Sequence, residues 1–241
     1  LGSETLVYTV GAGLVDAGRA RRLPDEVASA NWHATASLVA CLKGEALFVD
    51  MGSTTTDILR LANGAVRNRA TTDAGRLLSG EMVYTGFTRT FLFGVAASAP
   101  VHGRLTPLMN EYFAAMADVH RILGTLDETD DQHATADGKE KTVDASIVRL
   151  ARMVGRDASE LSHAEWLAVA GWFSERQLRT IHDAAVSGAG IGRPQIARLA
   201  PRMERPYLDF AALIPADEAV RDDASSAAPA TALALLAGMP G

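Results

Sequence analysis

Apolar positions in the first part of the chain fall in the short runs that are typical of β-strands. Residues 6–10, 46–49 and 58–61 form such runs, and Asn63-Gly64 follows the last of them as a hairpin turn. Residues 31–43 favour a helix, which Gly44 would end. Strands mixed with a helix, and an early hairpin, predict an α/β fold rather than a plain βαβ series.

The middle of the chain changes to a helical period. A helix is predicted over residues 107–123, where apolar side chains recur on one face, and further helices over 143–154 and 163–181. The apolar residues 184–186 then predict a strand followed by a glycine turn. The first helix carries Leu108, Tyr112, Met116, Val119 and Leu123 on its apolar face.

Composition narrows the functional classes. The chain has 241 residues, 48% hydrophobic and 22% charged, with a net charge of −6. That charge argues against a nucleic-acid partner, because no basic stripe exists to displace counterions from phosphates. The single cysteine excludes an internal disulfide and a cysteine zinc site, and it suggests the cytoplasm. No apolar run is long enough to predict a membrane span.

The segment LFVDMGSTTTDILRL, residues 47–61, is the strongest candidate for chemistry. Gly52 and four hydroxyl residues lie between Asp50 and Asp57. Converging backbone N–H groups and hydroxyls can bind phosphate, and Asp50 can hold a hydrated Mg²⁺ or orient an attacking group. A Walker loop is excluded because the next segment is a strand. An ordinary hairpin turn rich in threonine remains an alternative.

Three other segments carry weaker candidates. Gly188, Gly190 and Gly192 suit the approach of a nucleotide, or meet a purely steric need. Residues 71–90 carry arginines, Arg76 and Arg89, that can clamp an anion or lie in a solvated surface. The predicted helix would place Glu111 and Asp118 on one face, for acid–base or metal chemistry or simply facing solvent. The acidic residues 125–141 predict a solvated, disordered loop.

Several segments together resemble the hydantoinase/oxoprolinase family, and within it proteins linked to tetrahydromethanopterin-dependent one-carbon transfer. The matching segments include ASANWHATA, FVDMGSTTTDI, TTDAGRLLSGEMVYTGFTRT, MNEYFAAMADVHRILG and GAGIGRP. The resemblance implies a ribonuclease H-like fold of the actin-like ATPase superfamily. Residues 1–45 would be the remainder of a first lobe and 46–241 a second lobe. The second lobe would contain a phosphate-loop hairpin (46–68), a helical insertion (105–180) and a glycine-turn, nucleotide-facing segment (181–241).

The same resemblance implies the site residues. Phosphate or diphosphate contact falls to Asp50, Gly52, Ser53, Thr54, Thr55, Thr56 and Asp57. A loop facing the same cleft contributes Asp73, Glu81, Tyr84, Thr85 and Arg89. Behind this loop would lie Asn110, Glu111 and Asp118. The residues facing the nucleotide or its counterpart would be Gly188, Gly190 and Gly192. Asp50 or Asp73 would act as a base, Arg89 would stabilise developing negative charge, and Asp50 would hold Mg²⁺.

The function implied is a transferase of methanofuran-type cofactor biosynthesis, which condenses an aminomethylfuran diphosphate with a tyramine-type acceptor and releases pyrophosphate. The alternatives are an ATP-dependent kinase or hydrolase, an ATP-assisted amide hydrolase, or a non-catalytic nucleotide-binding fragment. A small-molecule diphosphate or nucleotide is the expected partner, a membrane is not, and a homodimer is allowed. The family's first phosphate loop, of Asp-x-Gly-Gly type, has no counterpart in this sequence, so we expect a fragment or a half-site.

Overall fold

A computed structural model describes residues 5–28 and 30–188, together with 232, 235 and 236. Strands and helices are mixed along this part of the chain, which confirms the α/β class. The chain divides into two compact units. The first unit comprises the described residues of Leu1–Phe48, Ile58–Glu81 and Val186–Gly241, and the second unit comprises Val49–Asp57 and Met82–Ala185. The predicted division into lobes stays a prediction.

Short strands and helices alternate through both units. The strands are β1 (Leu6–Thr9), β2 (Gly13–Asp16), β3 (Ala46–Met51), β4 (Thr56–Ala62), β5 (Ala65–Val66), β6 (Met82–Val83), β7 (Ser98–Val101) and β8 (Arg104–Pro107). The helices are α1 (Ala17–Ala20), α2 (Pro24–Val27), α3 (Asn31–Lys43), α4 (Asp73–Ser79), α5 (Leu92–Val95), α6 (Met116–Leu123), α7 (Val143–Met153) and α8 (His163–Gly188).

The strands form antiparallel pairs. β1 pairs with β2 and β7 with β8, while β4 pairs with both β5 and β6 and also neighbours β3. The turn between β4 and β5 is Asn63-Gly64, with φ of 53° and 70°. Positive φ at both central positions is the requirement of a type I′ hairpin, for which Asn-Gly is the preferred pair. The predicted hairpin is therefore confirmed.

The core of the first unit gathers around α3. Trp32, Leu38 and Val39 on this helix pack with Leu59 and Leu61 of β4. The helix ends at Lys43, and Gly44 caps it with a φ of 72°, as its sequence predicted. His33 on the same helix is buried, and Tyr8 shares a 2.8 Å hydrogen bond with its Nδ1.

The core of the second unit is built mainly by α6, α7 and α8. Leu150 of α7, and Trp166 and Phe173 of α8, are all fully buried there. Ile147 and Val154 join the same cluster, so the apolar face predicted for residues 143–154 is confirmed. The Trp166 indole donates a 2.8 Å hydrogen bond to the carbonyl of Ala158, which satisfies its polar edge inside the core.

The predicted helix over residues 107–123 is wrong in its first half. Pro107 ends strand β8, and the helix begins only at Met116. Long-range backbone hydrogen bonds take the place of helical ones in this segment. The Met109 N–H donates to the Met153 carbonyl, and the Met116 N–H donates to the Thr90 carbonyl. Glu111 consequently lies outside the helix and does not share a helical face with Asp118.

Two further sequence predictions need correction. Residues 184–186 belong to helix α8 rather than to a strand, and the segment 71–90, expected to be a loop, contains the helix α4, which Thr72 caps. The helical period runs unbroken through the apolar triplet, so a short apolar run alone did not identify a strand. Gly188 is the last residue of α8, and Gly190 and Gly192 lie outside the described residues, so the predicted glycine turn does too.

Candidate functional site

The hydroxyl loop, defined as residues 52–55, joins β3 to β4. The Gly52 N–H donates to the Thr55 carbonyl at 2.9 Å, which closes the turn. The Gly52 and Ser53 carbonyls accept hydrogen bonds from the N–H groups of Phe87 and Arg89, both at 2.8 Å. The segment that follows β6 therefore braces the loop from its carbonyl side.

The donor side of the loop is different. Within the described part of the chain, the backbone N–H groups of Ser53, Thr54 and Thr55 make no hydrogen bond. The Ser53 and Thr54 hydroxyls contact only each other, at 3.4 Å. Successive unpaired N–H groups in a turn, with hydroxyls beside them, form a concavity suited to an anion. This arrangement favours the phosphate interpretation over an ordinary hairpin turn.

Thr56 and Thr85 have a structural use. The Thr56 hydroxyl is buried and donates to the Thr85 carbonyl at 2.7 Å. The Thr85 hydroxyl in turn accepts a 2.8 Å hydrogen bond from the side-chain amide of Gln177, which also bonds the Gly86 carbonyl. These two hydroxyls hold the loop in place, and their predicted contact with a ligand stays a prediction.

Gly86 lies unusually close to the hydroxyl loop. A Cβ at this position would stand 2.4 Å from the Thr54 nitrogen, 2.5 Å from the Ser53 carbonyl carbon and 2.6 Å from the Gly52 oxygen. All three are backbone atoms, so no side-chain rotation could make room. Glycine is required here for close approach of two backbones rather than for a special φ.

Asp50 and Asp57 flank the loop at the ends of β3 and β4. Burial, and then the neighbouring carboxylate of Asp57, raise the pKa of Asp50. Two carboxylates that disfavour each other's charge suit a shared cation. Magnesium commonly takes only one or two protein carboxylates and completes its shell with water and phosphate oxygens. One or two carboxylates are compatible with such a site, and the described part of the chain contains no group of three or more metal-ligating side chains.

A cavity of about 500 Å³ opens beside the loop, within the second unit. Thr54 lies in its wall, and so do the exposed side chains of Tyr84 and Arg89, two predicted site residues. Further aromatic rings come from Phe91, Phe93 and Tyr112. The structure thus brings Thr54, Tyr84 and Arg89 together around one concave site.

Buried ion pairs form the base of this cavity. The Asp118 carboxylate accepts hydrogen bonds from Arg149 at 2.7 Å and from the Ser146 hydroxyl at 2.8 Å. Arg121 lies 3.5 Å from Asp118 and 2.7 Å from Asp131. Asp118 is consequently engaged in structural contacts, and the acidic segment that contains Asp131 is folded against α6. Most side chains of residues 125–141 are exposed, so this segment is solvated as predicted, but the prediction that it is disordered is wrong.

The remaining predicted residues lie elsewhere. Asp73 is the exposed first residue of α4, and Arg76 on that helix is buried with its guanidinium 3.8 Å from the Trp32 ring centre. The Glu81 carboxylate accepts hydrogen bonds from the Ser79 hydroxyl and from the backbone of residues 69 and 70. Asp73, Arg76 and Glu81 belong to the first unit. Asn110 and Glu111 are exposed in the loop before α6.

Among the cavity residues that the sequence did not indicate as site candidates are Thr88, Phe91, Phe93 and Tyr112. Tyr112 was assigned to the apolar face of a helix that does not form at that position. The run FTRTFLF, residues 87–93, combines three phenylalanines with two threonines and could have indicated the other three. The described residues contain no helix long and apolar enough to cross a membrane.

Comparison with known proteins shows which family the chain resembles. The model of the hydantoinase/oxoprolinase family matches residues 3–192. A Methanocaldococcus jannaschii protein named (4-{4-[2-(gamma-L-glutamylamino)ethyl]phenoxymethyl}furan-2-yl)methanamine synthase is 31% identical over 234 residues, which are 95% of this chain and 71% of that protein. A synthase of the same name from Methanococcus vannielii is 32% identical over 124 residues, which are 52% of this chain and 55% of that protein.

Proposed function

This chain belongs to the hydantoinase/oxoprolinase family, and on that premise we propose that it is a synthase that forms the ether bond of a phenoxymethylfuran product. The product named for both relatives contains an aryl ether between a phenol oxygen and a furanylmethyl carbon. An activated furanylmethyl diphosphate and a tyramine-type phenol supply the two halves. The new C–O bond forms as the bond between the methylene carbon and the diphosphate breaks, and pyrophosphate leaves.

The hydroxyl loop is the observation that carries this proposal. Its unpaired N–H groups at Ser53, Thr54 and Thr55 provide donors for the oxygens of a diphosphate. Arg89, exposed in the wall of the adjoining cavity, adds a positive charge where pyrophosphate develops its own charge. Pre-positioned donors of this kind stabilise a leaving group without reorganisation during the reaction.

Asp50 and Asp57 would hold Mg²⁺, which when bound neutralises charge on the diphosphate. The phenol proton goes to a carboxylate base, and we propose Asp50 for this role. Its raised pKa suits a proton acceptor as long as its carboxylate is not itself bound to a cation. We further propose the ribonuclease H-like, actin-like ATPase fold as the framework around these groups.

An ATP-dependent kinase or hydrolase is the second candidate, because the same loop would accept the phosphates of ATP. One assay separates the two. The protein is incubated with Mg²⁺ and either ATP or 5-(aminomethyl)furan-2-ylmethyl diphosphate, with and without γ-glutamyltyramine. Pyrophosphate released from the furan compound only when the phenol is present supports the synthase. Phosphate released from ATP without the phenol would replace it with the second candidate.

Three variants connect the assay to the loop. We expect Asp50→Asn to lower turnover by about 100-fold, because it removes a carboxylate that would hold Mg²⁺. Thr55→Ala should lower turnover by about tenfold, because it removes a hydroxyl beside the N–H donors of the loop. Thr56→Val is the matched control in the same segment, since its hydroxyl bonds Thr85 and its loss should act mainly on the unfolding temperature. If Asp50→Asn and Thr55→Ala unfold the protein and leave specific activity unchanged, the loop is a structural turn.

A further inference from the structure

The cavity beside the hydroxyl loop has the size of a small-ligand pocket, and aromatic side chains form one part of its wall. Its volume of about 500 Å³ lies within the range of pockets that bind organic ligands. The Phe91 ring centre is 4.2 Å from that of Tyr112 and 5.6 Å from that of Phe93. These rings support one another, so the wall is already formed in the absence of any ligand.

The described residues cover the aromatic part of the wall only partly. Tyr84 is 67% exposed, Phe91 41% and Tyr112 40%. All three line the same cavity. Exposed apolar side chains that cluster in a concave site are typical of binding surfaces, and aromatic faces prefer to stack on another ring. This part of the cavity therefore selects for a planar ligand.

Thr88 adds a polar requirement. Its side chain also lines the cavity, it is 3% exposed, and its Oγ1 has no hydrogen-bond partner among the described residues. A buried hydroxyl without a partner is unfavourable, and a ligand oxygen that bonds to it removes that penalty. The best complement to an aromatic wall with one buried hydroxyl is a ring that carries an oxygen.

The charges around the cavity distinguish between the two rings of the proposed reaction. The furan substrate carries an ammonium group, which would need an uncompensated carboxylate. Asp118 and Asp131 are instead paired with Arg149 and Arg121, and the Arg89 side chain adds a positive charge to the wall. The phenol ring of the acceptor carries no charge, and the ammonium and carboxylate of its zwitterionic γ-glutamyl tail lie at the other end of the molecule, whereas the ammonium of the furan substrate is one methylene from its ring.

We propose that this cavity binds the phenol ring of the acceptor, with the ring against Tyr112 and its oxygen hydrogen-bonded to the Thr88 hydroxyl. The identity of the ring as the acceptor's rests on the proposed function. Thr54 belongs to both the cavity wall and the hydroxyl loop, so the phenol oxygen and the diphosphate are bound by adjoining parts of one site. Thr88 and Tyr112 are thereby binding residues that set acceptor specificity.

The test compares two ligands that differ by one hydroxyl. γ-Glutamyltyramine and its analogue without the phenol oxygen, γ-glutamyl-2-phenylethylamine, are titrated into the full chain by calorimetry. We expect the wild type to bind the phenol at least about tenfold more tightly, because the analogue leaves the Thr88 hydroxyl unpaired. Thr88→Val keeps the shape of the side chain and should abolish that difference.

Two further variants make the result specific. Thr180→Val changes an exposed threonine on α8 whose hydroxyl bonds a backbone carbonyl, and it should keep the wild-type discrimination. Tyr112→Leu removes a ring from the wall and should weaken the binding of both ligands. Unfolding temperatures are measured alongside. Because the Thr88 hydroxyl has no partner in the described structure, Thr88→Val should melt at or above the wild-type temperature.

The outcomes separate this inference from the proposed function. If the wild type binds both ligands equally, binds neither, or keeps its discrimination after Thr88→Val, the phenol site is refuted. If pyrophosphate is released in the presence of the phenol while Thr88→Val leaves the KM for the phenol unchanged, the synthase stands and the cavity assignment falls. If the ligand discrimination is as expected but no pyrophosphate is released, the phenol site stands and the synthase falls.

Discussion

The close approach at Gly86 gives the sharpest prediction for the hydroxyl loop. Gly86→Ala would place a Cβ 2.4 Å from the Thr54 nitrogen, whereas ordinary van der Waals contact begins at 3.4 Å. The loop must therefore move by about 1 Å, the difference between these two distances. Forced overpacking of this kind costs about 1–3 kcal/mol of unfolding free energy. The gain from a stiffer unfolded chain, about 0.4–1 kcal/mol, offsets only part of it.

The functional effect should exceed the effect on stability. Movement of the loop by about 1 Å displaces its N–H donors from the diphosphate, and a misplacement of that size can lower turnover by about 100-fold. The bonds from Phe87 and Arg89 to the loop carbonyls should also weaken. Hydrogen exchange at these two amides, with pyrophosphate release measured on the same preparation, reports both effects.

Gly171→Ala is the matched control. Gly171 lies inside helix α8, and a Cβ there would have no atom within 4 Å. Alanine in a helix interior should stabilise the protein by up to about 1 kcal/mol and leave turnover unchanged. Our reasoning about the loop is refuted if Gly86→Ala keeps wild-type turnover and amide protection at Phe87 and Arg89.

Two predictions concern stability alone. Burial, with a smaller contribution from the nearby Arg76, lowers the pKa of His33 to about 4, so only the unfolded state takes up a proton as the pH falls below about 6.5. Unfolding free energy should therefore fall by about 2 kcal/mol between pH 7 and pH 5, and His33→Asn should remove that part of the loss in denaturant titrations. Arg149→Met should lower the unfolding free energy by about 3 kcal/mol, because it leaves the Asp118 carboxylate buried with one cation fewer. Arg179→Met, which removes an exposed ion pair, should change the unfolding free energy by less than about 1 kcal/mol. Equal effects of the two arginine variants would contradict the importance of burial.

Sequence patterns predicted those elements that depend on local chemistry. The Asn63-Gly64 turn follows from the positive φ that a two-residue hairpin needs, and helix α3 follows from its period and from Gly44. The buried face of α7 likewise follows from the spacing of its apolar residues. The hydroxyl loop between two strands was also correctly placed, because strand-like residues flank it on both sides.

Long-range contacts decided the elements that the sequence did not predict. Apolar residues in 108–115 have a helical spacing, but the backbone of this segment forms hydrogen bonds with residues that are distant in the sequence. The N–H of Met109, for example, donates to the carbonyl of Met153 at the end of α7. The acidic segment was wrongly predicted to be disordered because its partners, Arg121 and Arg149, lie on α6 and α7. Neither periodicity nor composition contains information about such partners. The aromatic cavity was missed for the same reason, since Phe91 and Tyr112 meet only in the folded chain.

The buried ion pairs of the second unit are better explained by geometry than by stability. Replacing a buried ion pair with apolar side chains is often neutral or stabilising, so the pairs of Asp118 are weak evidence for a stabilising role. Arg121 instead connects α6 to Asp131, and residues 133–135, immediately after it, form part of the cavity wall. The arginines thus fix an acidic segment whose own regular structure is limited to one short 3₁₀ helix, Glu128–Asp130. A cavity that selects a planar ligand needs a rigid wall, and charge pairing supplies the rigidity that a long strand or helix would otherwise give.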